Sequence, residues 1–303
     1  MFLVAGLAVL AGIANLLAFF GGWWWMFDLL ASFRPQLSVL LAVTAGLLAL
    51  RSWYRTAAFT AAVLGINLIV IIPLFVGPAR PPRTDFRILS FNVLWHNPNF
   101  GDVIDYIRES KADLVVLHET SEPWEEALNA AALPYKLTII RESGHSFGAT
   151  VLSPSSSEIV SFGLGLTDPR AVAISLDRGL RVLAIHPLSP YTRARAKTRD
   201  EQFEFANQWV IDQSGPVIVV GDFNAGPWSY PFRRLVADTG LHDSARGFGL
   251  EFSYPAGSSA LVQIAIDHLL YSDGLAVMDR RLGPAMGSDH LPLTVDLAFS
   301  SGG

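Results

Sequence analysis

The feature that most constrains this chain is the apolar segment at its N-terminus. Residues 1–76 contain only four charged side chains, at Asp28, Arg34, Arg51 and Arg55. Charged residues make up 16% of the whole chain, against about 25% in typical soluble proteins, and the deficit is concentrated in this segment. Helices packed into a soluble core would need polar faces that these residues do not supply. The segment therefore predicts a membrane anchor.

Three apolar spans can be distinguished in the anchor, which we place at residues 1–77. They cover residues 2–27, 35–50 and 56–76. The first and third contain the roughly 20 apolar residues that cross a bilayer, whereas the second is short and is expected to borrow Trp53 and Tyr54. The run of tryptophans ending at Trp25 fits an interfacial aromatic belt. A secretory signal peptide is disfavoured, because no Lys or Arg precedes the first span and the span is too long.

The distribution of arginines bears on the orientation of the anchor. With three spans, the N-terminus and the hairpin of Arg51 and Arg55 share one side, while Arg34, Arg80 and Arg83 lie on the other. The raw count barely decides, but the positive-inside bias acts most strongly on short loops. We therefore expect a multi-pass protein of the inner, cytoplasmic membrane whose remaining domain faces the periplasm or the cell exterior. The absence of cysteine fits either compartment.

The rest of the chain is acidic. Residues 78–84 form a stiff proline-rich linker, and residues 85–300 are long enough for one domain with a substantial core. Past Arg83 there are 17 Lys and Arg against 26 Asp and Glu, a net charge of −9. Sequence-independent binding to duplex nucleic acid depends on neutralising many phosphates, so nucleic acid is possible but not favoured. The charge does not exclude a phosphate-bearing substrate handled through a metal, and no protein partner is evident.

Short strands with a few helices between them characterise this domain. Alternation and apolar runs predict strands at residues 87–93, 113–117, 135–140, 148–153, 171–176, 180–185, 217–220, 264–271 and 291–298. Helices are predicted at residues 102–111, around Trp124 and Leu128, and at 192–212. This pattern indicates two packed sheets with helices outside them.

The most informative strand is the apolar run that ends at Val220. Gly221 then lets the backbone turn, and Asp222 and Asn224 stand one residue apart just past the strand. In an extended segment their side chains would share a face, and Phe223 between them would point into the core. An Asx-rich turn is the structural alternative.

Other polar side chains also stand at predicted strand ends. They are Asn92, Glu119, His186 and the Ser288-Asp289-His290 run, with Asp267 in the penultimate predicted strand. Each has an ordinary alternative, such as a turn former, a residue near a helix N-terminus or a buried structural histidine. Together they are expected to converge, because strand ends in a sandwich meet at one rim. Carboxylates and amides suit Mg²⁺, whereas the absence of cysteine excludes thiolate sites, and the H-E-x-x-H zinc spacing is missing.

These residues resemble the motifs of the endonuclease/exonuclease/phosphatase superfamily. The matching motifs, in the family's order, are Ser90-Phe91-Asn92, Leu117-His118-Glu119, His186-Pro187, Gly221-Asp222-Phe223-Asn224, Ile266-Asp267-His268 and Ser288-Asp289-His290. The resemblance spans nearly all of residues 85–300. It implies an α/β fold, a four-layered α-β-β-α sandwich of the DNase I-like kind, here preceded by the transmembrane helical segment.

The resemblance also implies a metal site. Glu119 would be the principal ligand of Mg²⁺ or Mn²⁺, with Asn92 and Asp289 beside it. The family usually has Gln before this glutamate, where this chain has His118. Strand alternation would point His118 away from Glu119, so we expect the difference to matter little.

The remaining matched residues would carry out the reaction. His290 would be the general base that takes a proton from the attacking water, oriented by Asp267. Asp222 and Asn224 would position that water and the phosphate oxygens. His186 would donate to the phosphoryl oxygens as charge develops on them.

The sequence thus predicts a membrane-anchored, metal-dependent phosphoesterase whose partners are the lipid bilayer and a phosphoester substrate. A phospholipid headgroup or small phosphoester is slightly favoured by the acidic domain beside a bilayer. A tethered nuclease is the alternative enzyme. A catalytically silent binding module is the alternative of another class, and the completeness of the residue set argues against it.

Overall fold

The computed structural model describes residues 1–141, 148–163 and 169–300. Its N-terminal part is helical. The helices are α1 (Phe2–Leu17), continued by a 3₁₀ turn at Ala18–Phe20, α2 (Trp25–Ala31), α3 (Arg34–Leu50) and α4 (Tyr54–Ile71), continued by a 3₁₀ turn at Ile72–Phe75.

Two of these helical stretches are long and apolar enough to cross a membrane. They are Phe2–Phe20 and Tyr54–Phe75, and a third span results only if α2 and α3, bent by 68° at their junction, are taken as one. Exposed apolar side chains on these helices include Leu10, Val39 and Ile69, which are 65%, 62% and 72% exposed. Such surfaces suit contact with lipid.

The predicted bounds of the first two spans were wrong. The span at residues 2–27 is interrupted, because the chain turns at Gly21 and Gly22, where a Cβ on Gly22 would lie 2.7 Å from the ring of Tyr230. The second span does not borrow Trp53 and Tyr54, since α3 ends at Leu50 and Tyr54 begins α4. Instead, the short helix α2 precedes α3.

Two helix ends that were predicted to share one side of the membrane lie together at one end of the bundle. The rings of Phe2 and Trp53 lie 5.0 Å apart, so the N-terminus and the hairpin after α3 are at one end of the bundle. The opposite end contacts the remaining domain. Inside the bundle, Arg34 Nη1 donates to Asn67 Oδ1 at 2.6 Å, and Asn67 Nδ2 donates to Asn15 Oδ1. These buried polar groups satisfy one another.

The domain that follows contains four further helices and twelve strands among the described residues. The helices are α5 (Phe100–Ser110), α6 (Glu122–Ala130), α7 (Arg193–Ile211) and α8 (Tyr230–Thr239). The strands are β1 (Phe86–Asn92), β2 (Leu114–Thr120), β3 (Lys136–Ile140), β4 (Gly148–Ser153), β5 (Glu158–Gly163), β6 (Pro169–Ser175), β7 (Arg181–Ile185), β8 (Val217–Asp222), β9 (His242–Asp243), β10 (Asp267–Tyr271), β11 (Leu275–Leu282) and β12 (Leu293–Phe299).

The strands form two sheets of six. Their orders are β11-β12-β1-β2-β4-β3 and β5-β6-β7-β8-β10-β9. Each sheet has one parallel pair near its centre, β1 with β2 and β7 with β8. The sheets pack face to face through residues such as Ile88 and Val220. Helices α5 and α6 cover the first sheet, and α7 and α8 cover the second. The four-layered α-β-β-α sandwich is confirmed.

Four elements were not predicted from the sequence, namely β5, α8, β9 and β11. As a result Asp267 does not lie in the penultimate strand, which is β11, but opens β10. The other predicted elements are present, with ends shifted by a few residues.

The helical bundle is joined to the domain by buried polar contacts. Arg199 Nη2 lies 2.8 Å from Asp28 Oδ2, and both side chains are 2% exposed. Asp28 Oδ1 also accepts from the backbone N–H of Tyr230 at the start of α8. Trp228 Nε1 donates to Val70 O at 3.0 Å. The bundle end is therefore fixed against the segment that follows β8.

Candidate active site

Strand β8 directs one carboxylate between the two sheets. Ile218 and Val220 face the core between the sheets, and Asp222, two residues on, shares their face. Gly221 has φ +145°, and a Cβ there would collide with the carbonyl oxygen of Ile185 on β7. Only glycine allows β7 and β8 to approach so closely beside the site. Phe223 turns to the opposite side and is fully buried, as predicted.

Asp222 and Asn224 come together through a tight turn. Asn224 has φ +47°, its backbone N–H donates to Asp222 Oδ1 at 2.9 Å, and its Nδ2 lies 3.4 Å from Asp222 Oδ2. Nδ2 also donates to Pro187 O at 2.9 Å. The segment is thus an Asx turn rather than an extended pair. The turn itself is what places both side chains in one space.

A buried carboxylate–imidazole pair lies beside Asp222. Asp267 is paired with Asp222 in the antiparallel register of β10 and β8, so both point between the sheets. His290 Nδ1 lies 2.8 Å from Asp267 Oδ2, and His290 Nε2 lies 3.5 Å from Asp222 Oδ2. The sequence prediction that Asp267 would contact His290 is confirmed as geometry, while their roles stay predictions.

The charges of this cluster reinforce one another. Burial opposes the charged form of His290, but Asp267 and Asp222 outweigh it and raise the pKa of His290 to about 10. Burial likewise opposes ionisation of Asp222, but His290 and His186 hold its pKa well below the ordinary value. In this arrangement His290 is protonated and Asp222 ionised at neutral pH.

The first sheet contributes Asn92 and Glu119. Asn92 ends β1, and its Nδ2 donates to Glu119 Oε1 at 3.0 Å and to Asp222 Oδ2 at 3.1 Å. Its Oδ1 accepts from the backbone N–H of Leu94. Asn92 therefore joins carboxylates from the two sheets as a hydrogen-bond donor.

Glu119 reaches this point because β2 is irregular. The register with β4 shifts between His118 and Thr120, and Glu119 has φ +59°. A left-handed conformation is unfavourable for glutamate and is found where surrounding structure enforces it, often at functional sites. The bulge turns Glu119 toward Asn92.

The same bulge removes the expected alternation between His118 and Glu119, because it turns Glu119 to the side on which His118 lies. The ring of His118 does not lie away from the site but 5.4 Å from the ring of His186, and its Nε2 would be 2.7 Å from a Cβ on Gly221. His186 Nε2 in turn lies 3.4 Å from Asp222 Oδ2 and 3.7 Å from Glu119 Oε1. His118 therefore supports the ring of His186, and it continues the face of Leu114 and Val116, which point between the sheets.

The segment before β12 completes the cluster. Ser288 Oγ donates to Asn92 O at 2.6 Å and accepts from the backbone N–H of His290. Asp289 is half-buried, and its Oδ1 is buried with no hydrogen-bond donor among the described residues. Burial and the nearby Glu119 raise the pKa of Asp289, against the opposing effect of His290.

One aromatic contact was missed from the sequence. The ring of Tyr254 lies 4.8 Å from that of His290, and burial followed by the neighbouring Tyr191 raises the pKa of Tyr254 to about 12. By contrast His268, part of a matched motif, is a structural histidine. Its Nε2 lies 3.0 Å from Ala225 O, and burial together with Arg280 lowers its pKa to about 3.

The side chains present fit a divalent cation. Glu119, Asp222, Asp267 and Asp289 gather four carboxylates, and one buried carboxylate oxygen, on Asp289, has no donor. Among described residues, ligand atoms of Asp222, Asp267 and His290 lie within 4.8 Å of one another, but His290 and Asp267 already pair with each other. The predicted set of Glu119, Asn92 and Asp289 flanks this group. Hard oxygen donors of this kind suit Mg²⁺ or Mn²⁺.

Comparison with known proteins agrees with this geometry. Residues 89–290 match the model of the Endonuclease/Exonuclease/phosphatase family. No curated protein matches the sequence.

Solved structures share the fold. A 3′ phosphatase from Neisseria bound to product DNA hairpin is 19% identical, covering 71% of this chain and 100% of its own, with a TM-score of 0.57. An endonuclease/exonuclease/phosphatase from Bacteroides vulgatus is 17% identical, covering 72% and 100%, with a TM-score of 0.55. A mannosyl-6-phosphatase from Bacteroides thetaiotaomicron is 17% identical, covering 71% and 100%, with a TM-score of 0.52. At identities this low, the structural similarity establishes the DNase I-like fold and nothing more specific.

Proposed function

This chain belongs to the endonuclease/exonuclease/phosphatase family, and from that premise we propose that it is a membrane-anchored, divalent-cation-dependent phosphoesterase. The observation that supports this best is the buried Asp267–His290 pair, with Nδ1 and Oδ2 2.8 Å apart, set opposite the carboxylate of Asp222. A merely structural histidine would not need two buried carboxylates around it.

In the proposed reaction His290 takes the proton of the attacking water at Nε2. Asp267 holds the Nδ1 side of the ring, which fixes both its orientation and the nitrogen that is free to accept. Tyr254 packs on the ring and limits its rotation. Replacing His290 with Ala should lower turnover far more than substrate affinity.

Asp222, Asn224 and His186 face the same space from the second sheet. Asp222 and Asn224 position the water and the phosphate oxygens, since their side chains are held 3.4 Å apart by the turn. His186 donates to a phosphoryl oxygen as negative charge grows there. His118 keeps the His186 ring in place.

Glu119, Asn92 and Asp289 would hold the cation, Mg²⁺ or Mn²⁺. Bound there, it supplies positive charge that polarises the phosphoryl group and offsets the carboxylate charge that now keeps His290 protonated. As a cation ligand Asn92 would use its amide oxygen. That oxygen accepts from the backbone N–H of Leu94 in this structure, so the amide would have to rotate to turn its oxygen toward the carboxylates.

The N-terminal helices would insert into a bilayer, which becomes the partner of the chain. The proposal is supported by their exposed apolar side chains and by the common end shared by Phe2 and Trp53. We place the hairpin of Arg51 and Arg55 in the cytoplasm, and the catalytic domain then faces the periplasm or the cell exterior.

A substrate panel tests the activity. The full chain in vesicles is assayed with and without Mg²⁺ on phospholipids, small phosphomonoesters and diesters, and single- and double-stranded nucleic acids. The family relationship covers phosphatases and nucleases, and the domain charge of −9 favours phospholipid headgroups or small phosphoesters. Preferential cleavage of nucleic acid would establish the nuclease instead, and no hydrolysis of any member of the panel would refute the enzyme.

A further inference from the structure

The loop between Tyr254 and Ile264 connects the active site to the helical bundle. The two residues pair across its base, with Ile264 N donating to Tyr254 O at 2.6 Å. The tip exposes Leu261 and Val262, which are 72% and 51% exposed. No charged residue occurs from position 252 to 266. An uncharged loop with two adjacent apolar side chains exposed at its tip is unusual on an acidic domain.

The tip is attached to a membrane helix. Gln36, in the first turn of α3, donates through Nε2 to Gln263 O at 2.6 Å and to Ala260 O at 3.1 Å. Both acceptors flank Leu261 and Val262. The loop therefore rests on the end of the bundle that faces the catalytic domain.

The tip also continues the lipid-facing surface of α3. Val39 and Val43 follow Gln36 by three and seven residues, so they lie on the same helix face. They are 62% and 55% exposed, and the stripe extends to Leu47 and Leu50. Leu261 and Val262 thus lie next to the N-terminal end of an apolar stripe that extends along α3 to Leu50.

The base of the same loop forms a wall of the active site. The ring of Tyr254 lies 4.8 Å from that of His290, and Ala256 N donates to Asp289 O at 2.7 Å. Ser253 O accepts from the backbone N–H of Leu291. A single short loop therefore contacts the proposed active site at its base and helix α3 at its tip.

We infer that the loop of residues 254–264 is a membrane-contacting element, in which Leu261 and Val262 enter the headgroup region beside α3 and open the active site toward the bilayer surface. The partner is the lipid surface itself, and the substrate class is a phosphoester carried by a bilayer lipid. This deepens the proposed phosphoesterase function and rests on it. Apolar side chains that enter this region gain free energy from burial.

The position of the tip can be tested without any activity. The chain contains no cysteine, so Leu261→Cys carries a single environment-sensitive fluorophore. The full chain is placed in vesicles of phosphatidylcholine and phosphatidylglycerol. Val160→Cys is the matched control, because Val160 is 55% exposed on β5, the sheet edge opposite β9.

We expect the label at residue 261 to emit at shorter wavelength and to be quenched by lipids carrying a nitroxide near the headgroup, and the label at 160 to show neither effect. Equal emission and quenching at the two positions would overturn the inference. A lipid-embedded label at 261 in a chain that hydrolyses no phosphoester would retain the contact surface but refute the proposed function.

A second experiment tests whether the loop affects hydrolysis of a lipid in a bilayer. Leu261→Ser combined with Val262→Ser is assayed on a bilayer phospholipid and on a water-soluble short-chain lipid with the same headgroup, with Val160→Ser as control. We expect roughly tenfold slower hydrolysis of the bilayer lipid, from lost apolar burial, and unchanged hydrolysis of the soluble one. Equal loss on both substrates, or no loss on either, would show that the loop does not deliver bilayer lipid and would overturn the inference.

Discussion

Replacing Asp267 with Asn isolates the electrostatic part of the carboxylate–imidazole pair. The side chain keeps its size and an acceptor for His290 Nδ1, but it loses its charge. Both partners are almost fully buried, with side chains 5% and 1% exposed, so solvent does little to screen the interaction. The remaining carboxylate, Asp222, is 3.5 Å from the other ring nitrogen.

The size of the effect follows from the distance. Two unit charges 2.8 Å apart interact by about 6 kcal/mol at an effective dielectric constant of about 20, which corresponds to a change of roughly 4 in a pKa. The pKa of His290, about 10 in the metal-free chain, should therefore fall to near or below its ordinary value of 6.5. At pH 8 the ring would be protonated in the wild-type chain and largely neutral in the variant.

Two measurements check this prediction. Histidine-selective NMR titration of the metal-free chain reports the pKa of His290, and kinetics with Mg²⁺ report turnover. We expect kcat to fall by about 10² to 10⁴ with KM little changed, because the imidazolium formed during proton transfer loses the charge that stabilises it while substrate contacts remain. The control is Asp243→Asn, a buried aspartate on β9 whose Oδ1 accepts from Ala245 N away from the site.

Stability should respond with a definite sign. The folded-state pKa of His290 is raised, so the stabilisation from the pair is complete below pH 6.5 and is lost as pH rises through about 10. The difference in unfolding free energy between wild type and Asp267→Asn should therefore shrink between these pH values. An unchanged pKa of His290 together with unchanged kcat would refute the assignment.

Three further predictions concern the metal, the docking of the bundle and the topology. Glu119→Gln should abolish Mg²⁺-stimulated hydrolysis, and full activity of the variant at low Mg²⁺ would contradict the ligand assignment. Asp28→Asn removes the charge that Arg199 meets in the bundle, while Asp200 stays 2.9 Å from Arg199 Nη2, and should destabilise the full chain by about 1.5 to 3 kcal/mol in thermal unfolding. Asp105→Asn, in an exposed pair, should change it by less than about 1 kcal/mol, and equal effects would count against the buried pair. Alkaline phosphatase fused after Pro82 should be active and a cytoplasm-only fluorescent reporter dark, whereas the reverse result would place the domain in the cytoplasm.

Local pattern was sufficient for much of the site. Asn92 and Asp222 could be placed because each ends a largely apolar strand, and two-residue alternation then fixes the face. The order of motifs along the chain supplied Asp267 and His290, whose contact depends on the pairing of β10 with β8. The pairing register of β10 and β8 cannot be predicted from the spacing of the motifs along the sequence.

What could not be predicted depends on irregular backbone and distant partners. Nothing in the sequence around Glu119 marks a bulge, so His118 and Glu119 were expected to point to opposite faces. The charged residues of strand β11 make it resemble a polar loop in the sequence. Arg280 is nevertheless only 4% exposed, and its Nε lies 2.5 Å from Glu251 Oε2. The break in the first span likewise depends on Asp28, whose partner lies far along the chain.

The pairing of the first and last strands of the domain sets the order of events during biosynthesis. Phe86 of β1 lies opposite Leu297 of β12, so one edge of β1 stays unpaired until β12 has been made, while its other edge pairs with β2. The apolar helices precede the domain in the chain, and as the proposed anchor they would enter the bilayer before β12 exists. A chain that stops before Asp289 would lack both Asp289 and His290, so under the proposed mechanism it would be tethered but inactive. Such long-range closure is slow, so the proposed active site would be completed only after the proposed anchor has formed.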